Sequence, residues 1–97
     1  MPNPDAIAQE RREECRRETL RFLAERQAVA HHPKTVRRRL NDGHEHDFTD
    51  ADVQAALVFL VSASLAREIP DALGATRHYQ ATAAGVLAHE RGATFAP

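Results

Sequence analysis

Between Asp50 and Ser64 the chain places apolar side chains on nearly every side of a helix. Thr49 precedes it as a cap, and Asp52, at the third position, completes a capping box in its shorter acidic form. Val53, Leu57, Leu60 and Val61 share one face, while Ala55, Val58 and Phe59 fall away from it. A surface helix carries one apolar stripe opposite a polar face. A helix with no polar face has to be covered by other elements. A membrane is not the cover expected: the longest apolar stretch, 55–63, is about half the length of a span and contains Ser62.

With 97 residues, the chain can build one modest core. Pro4 to about Ala28 reads as a long helix, with Asn3 as cap, Pro4 in the first turn and Asp5 at the positive end of the dipole. Its first half is polar, with Cys15 the one clearly apolar residue between Ile7 and Leu20. That half is expected to project, fray or lie on a partner, leaving Cys15 open to thiol reagents. Leu20, Phe22, Leu23, Ala24 and Ala28 form the stripe that docks on a core. Pro33 opens a short helix to about Asn41 that buries Val36 and Leu40, and Asn41-Asp42-Gly43 stops it. His44 to Phe48 reads as a short edge strand ending in a buried Phe48.

After the greasy helix, Leu65 to Ile69 has strand spacing, Pro70 to Ala75 is turn chemistry, and Thr76 to Ala81 reads as a returning strand. Thr82 caps a last helix, Ala83 to about Arg91, with Val86 and Leu87 expected inward. Gly92 ends it, and residues 93–97 form a tail. A two-stranded ribbon alone is marginal in water. Leu65, Ile69 and Tyr79 are therefore expected to lie over the apolar helix and close one core. A plain helical bundle with an irregular hairpin is the alternative.

The stretch Val53-x-x-x-Leu57-x-x-Leu60-Val61-x-x-Ser64-Leu65, then Arg67-Glu68-Ile69, a turn, and Tyr79-Gln80-Ala81-Thr82-Ala83-Ala84-Gly85, resembles the winged-helix (winged helix-turn-helix) superfamily typified by bacterial transcription regulators. The resemblance covers about Leu20 to Arg91. It implies a mainly α fold with a small β-ribbon: an N-terminal helical extension over 1–18, a winged-helix domain over 19–92 and a tail over 93–97. It also implies a module that binds double-stranded DNA and regulates transcription. The single cysteine and the charged N-terminal run, with no secretory signal in view, make cytoplasmic residence the default expectation. The lack of catalytic chemistry makes the module non-enzymatic, and the extension, Ala6 to Arg17, is expected to pair chains as a homodimer or extend along a partner. In such a fold the apolar helix would enter the major groove and the wing would reach a flanking groove.

Charge is segregated along the chain. From Arg11 to Arg39 ten bases stand against four acids, whereas from Asp42 to Asp71 seven acids stand against one base. Phosphate contact is expected from Lys34, Arg37 and Arg38, with Arg67, Arg77 and His78 on the wing. On the outward side of the apolar helix Gln54 is the good base reader, able to pair with adenine. Asp50 and Asp52 would repel phosphate. Ala55, Val58 and Phe59 form an apolar patch where the family pattern leads one to expect polar or basic residues, and such a patch suits a protein interface. DNA binding and protein interaction thus remain two readings of one fold.

No catalytic, cofactor or metal site, and no small-molecule substrate, is expected. The lone Cys15 excludes an internal disulfide and an all-cysteine zinc site. His44 and His46 share one side of an extended segment behind His31 and His32, but nothing makes three ligands converge, so these read as solvated loop histidines. There is no glycine-rich phosphate loop. Truncating the core position Leu57→Ala is expected to cost about 2–5 kcal/mol in a denaturant melt, and a loss near zero would remove Leu57 from the core.

Overall fold

The computed structural model describes residues 3–74 and 76–93. Six elements follow in order: α1 (Pro4–Glu25), α2 (Pro33–Leu40), α3 (Asp50–Ser62), β1 (Ala66–Pro70), β2 (Arg77–Ala81) and α4 (Ala83–Glu90). Ala75 in the expected turn and 94–97 of the expected tail lie outside the described residues. Among those described, no helix is long and apolar enough to cross a membrane.

Local chemistry sets the helix starts. The Asn3 side chain accepts from Asp5 N at 2.9 Å, and the Thr49 and Asp52 side chains exchange bonds as a full capping box. Thr82 accepts from Gly85 N at 3.0 Å. One cap was not foreseen: His32 Nδ1 accepts from Lys34 N at 3.1 Å and opens α2.

The interior forms around α3. Val53, Ala56, Leu57 and Leu60 are buried against Leu20, Phe22 and Leu23 of α1, Val36 and Leu40 of α2, and Phe48. The antiparallel register pairs Ala66 with Ala81, Glu68 with Tyr79 and Ile69 with His78. Side chains alternate across a ribbon, so the covering face is Ala66, Tyr79 and Ala81, all buried. Leu65 packs against this core from the bend before β1. Ile69, expected beside Tyr79, stands half-buried on the opposite face.

Three further expectations are corrected. His44 to Phe48 is not a strand: the Asn41 side chain donates to Phe48 O at 2.8 Å and accepts from Phe48 N at 2.9 Å, holding a loop closed over the buried ring. The third extended segment is instead His31, which exchanges backbone bonds with Tyr79 at 2.8 and 2.9 Å and so lies between α1 and α2. His31 is accordingly no solvated loop residue. Its ring sits edge-on to Phe22 at 4.9 Å, and burial pushes its pKa below the ordinary value. Leu87 is 43% exposed, and Val86 is the residue of that pair that packs inward.

The junction of α3, β1 and α4 is tight. Ser64 takes a left-handed backbone with φ of 63°. Thr82 N donates to Leu65 O at 3.1 Å, and Thr82 Oγ1 donates to Ser64 O at 2.7 Å. Gly85 then lies directly on the Leu65 carbonyl, where a Cβ would overlap backbone atoms. Gly→Ala inside a helix ordinarily stabilises by about 0.5–1 kcal/mol. Here Gly85→Ala is expected to destabilise by about 1–3 kcal/mol through overpacking. The sign, read from a chemical denaturation midpoint, decides whether this contact is rigid.

Candidate nucleic-acid interface

The outer side of α3 presents a ridge of Ala51, Ala55 and Val58, with Val58 55% exposed. Gln54 and Ser62 flank it. Both polar groups already have partners inside the chain. Gln54 Nε2 donates to Tyr79 Oη at 3.2 Å, and Ser62 Oγ donates to Phe59 O at 2.8 Å. Phe59 belongs less to this surface than expected: it is half-buried, with the Arg16 guanidinium 3.8 Å from its ring centroid.

On one flank of the ridge lies an open groove of about 520 Å³ between the start of α2, α3 and β2. Its walls include Lys34, Gln54 and Arg77, three expected site residues far apart in sequence, and Tyr79 contributes to its lining. Arg77 Nη1 reaches Glu68 Oε1 across the ribbon at 2.5 Å. Arg67 is not part of this group. It is paired in register with Gln80, on the ribbon face away from Tyr79, and donates to Gln80 Oε1 at 2.9 Å. His78 shares that opposite face and meets the His32 ring edge-on at 5.7 Å. At the wing turn, Asp71 accepts from Leu73 N and from the Thr76 hydroxyl, and these bonds hold its carboxyl below the usual range.

Arg37 Nε is 2.6 Å from Asp50 Oδ1, so its charge is matched by the helix it faces. Lys34 and Arg38, one turn apart on α2, make no ion pair among the described residues. They share a side of the helix because residues i and i+4 are neighbours.

The other flank was missed by sequence reasoning. The polar half of α1 does not project wholesale: from Arg11 onward it lies along α3. Arg11 is bound to Asp47 Oδ1 at 2.9 Å, Asp47 O at 3.0 Å and Asp52 Oδ2 at 2.9 Å. The Asp52 carboxyl is held below its ordinary pKa, first by the Thr49 backbone N–H and then by Arg11. Arg12 and Arg16 line a hollow of about 140 Å³ with Ala51 and Ala55. The Arg12/Arg16 spacing of four, bracketing the apolar Cys15, was the available signal. The two aspartates expected to repel phosphate, Asp50 and Asp52, are thus each paired with an arginine. Among the described residues, no group of three or more His, Cys, Asp or Glu could hold a metal ion.

This architecture, two helices leading to a third that packs under a two-stranded wing, is the winged helix. No protein-family model matches the chain, and no curated protein matches it. Among solved structures, a mutant of ZitR from Lactococcus lactis is similar to it at 13% identity with a TM-score of 0.60. The match covers 77% of this chain and 48% of that one, so the chain spans about half the ZitR length. At that identity the likeness concerns the fold.

The docking of α1 changes the expectation for Cys15, which is 2% exposed. Its Sγ lies 3.5 Å from Asp52 O and 4.0 Å from Thr19 Oγ1. Burial pushes the thiol pKa up to about 11, and the thiolate is the reactive form. Cys15 should resist a maleimide or disulfide reagent at pH 8 and react fully in denaturant. Fast native labelling would show that α1 lifts off α3.

Proposed function

We propose that this chain is a non-enzymatic, regulator-like DNA-binding module that holds duplex DNA mainly by its phosphates and uses no cofactor. The observation that carries this reading is the convergence of Lys34, Gln54 and Arg77 around one open groove beside the outer face of α3. In a winged helix that face meets the major groove while neighbouring elements touch the backbone. Arg37 pairs with Asp50 and Arg11 is shared between Asp47 and Asp52, which reduces the negative charge that would oppose the approach.

In this reading Lys34 and Arg38 are the principal phosphate contacts, and Arg77 contributes from the wing. Arg37 supports α3 through Asp50. Arg67 and His78 stand on the far face of the ribbon and serve its stability more than the contact. Residues 19–92 form the binding domain. Residues 11–18 brace it by docking along α3.

Duplex binding followed by fluorescence anisotropy at two salt concentrations tests the reading. Affinity is expected to fall steeply with salt, because bound cations displace counterions. The double variant Lys34→Ala/Arg38→Ala should lower the log–log salt slope by about 2, close to 1 per lost phosphate contact. Absence of binding in low salt, or binding indifferent to salt, would refute the assignment.

A further inference from the structure

Three features of the α3 surface combine into a statement about which DNA it prefers. The first is chemical. The ridge residues Ala51, Ala55 and Val58 offer methyl groups and no hydrogen-bonding atom. Of the polar groups beside them, the Gln54 amide nitrogen is engaged by Tyr79, the Ser62 hydroxyl by Phe59 O, and the Asp50 carboxylate by Arg37. Hydrogen-bond reading of base edges therefore has few groups left to work with.

The second feature is charge. The ridge runs between two flanks that carry cations. Lys34 and Arg77 line the groove on one side together with Asp50, which Arg37 pairs, and Arg12 and Arg16 line the hollow on the other together with Asp52, which Arg11 pairs. A strip of apolar surface bordered on both sides by guanidinium and ammonium groups complements a groove whose two edges are phosphate and whose floor carries apolar groups. The major groove of duplex DNA fits this description where it contains thymine, whose C5-methyl is its distinctive apolar feature.

The third feature is length. Ala51 to Val58 rises about 10.5 Å along the helix axis, equivalent to about three base steps at 3.4 Å each. Two or three adjacent methyls could be met at once.

We infer that the Ala51-Ala55-Val58 ridge is a thymine-methyl reader, giving the module a preference for thymine-rich duplex through apolar contact rather than hydrogen bonds. This rests on the DNA-binding reading above. Affinity comes from the flanking cations, and preference comes from the ridge. Because methyl contact carries little information about base order, the preference is compositional.

The experiment replaces the ligand's methyl groups and leaves the protein intact. Anisotropy titrations compare an A·T-rich duplex with the same duplex carrying uracil in place of thymine, and a G·C duplex with its 5-methylcytosine form. Uracil substitution is expected to weaken binding by about 15- to 60-fold for two or three fully lost methyl contacts, with the salt slope unchanged. Cytosine methylation should strengthen binding in the same sense. Val58→Ala, at an exposed position, should narrow the thymine-to-uracil ratio without altering the salt slope. Equal affinities within either pair of duplexes would overturn the methyl reading while leaving DNA binding intact. No binding to any duplex in low salt would overturn both. A dimer seen by sedimentation, dissociated by Val58→Asp, would assign the ridge to a second copy and likewise overturn the proposal.

Discussion

Everything in this molecule is arranged around the need to cover α3. Its apolar residues point in too many directions for a single neighbour to bury, and removing them from water supplies most of the drive toward the folded state. The second half of α1 and the paired residues Val36 and Leu40 of α2 cover its inner side. The ribbon closes it through Tyr79, Ala66 and Ala81. The remaining side is partly covered by the polar half of α1, through Cys15 and the Arg16–Phe59 stack. What stays open is narrow: the ridge of Ala51, Ala55 and Val58.

Tyr79 ties this cover together. It is paired on β1 with Glu68, exchanges two backbone bonds with His31, and accepts from Gln54 at its hydroxyl. A buried tyrosine needs a partner for its polar end, and Gln54 supplies it. The same bond joins the wing to the outward helix, so that groove and ridge keep a set geometry. The side chain best suited to reading a base is thereby given a structural task.

Electrostatics is likewise reorganised by packing. Along the chain, bases and acids lie in separate blocks, which suggests one cationic and one anionic surface. In space, Arg11 from the basic block reaches Asp47 and Asp52, and Arg37 reaches Asp50. Such partly exposed pairs contribute little to stability individually. Their larger effect is on the field: two arginines offset most of the charge of three carboxylates at the start of α3, and Lys34 and Arg12 beside it add positive charge to the approach.

Short-range chemistry was legible without coordinates. Asn3, Thr49 with Asp52, and Thr82 begin helices because each can satisfy N–H groups in the first turn, and the ribbon is where its apolar spacing and turn residues put it. The apolar character of α3 likewise announced that several elements must surround it. Long-range choices were invisible, because they depend on which side chains meet across tens of residues. His31 rather than the segment at His44 joins the ribbon, exchanging two backbone bonds with Tyr79. Ile69 turns outward because the register, set by pairing rather than by hydropathy, assigns alternate residues to opposite faces. The polar half of α1 docks because a mixed surface of Arg11, Cys15 and Arg16 finds carboxylates, backbone carbonyls and an aromatic ring on α3 and the loop before it. Sequence thus decided the elements and the need for a shared core; tertiary structure decided which surface was left over, since exposure is what remains after every other contact has been made.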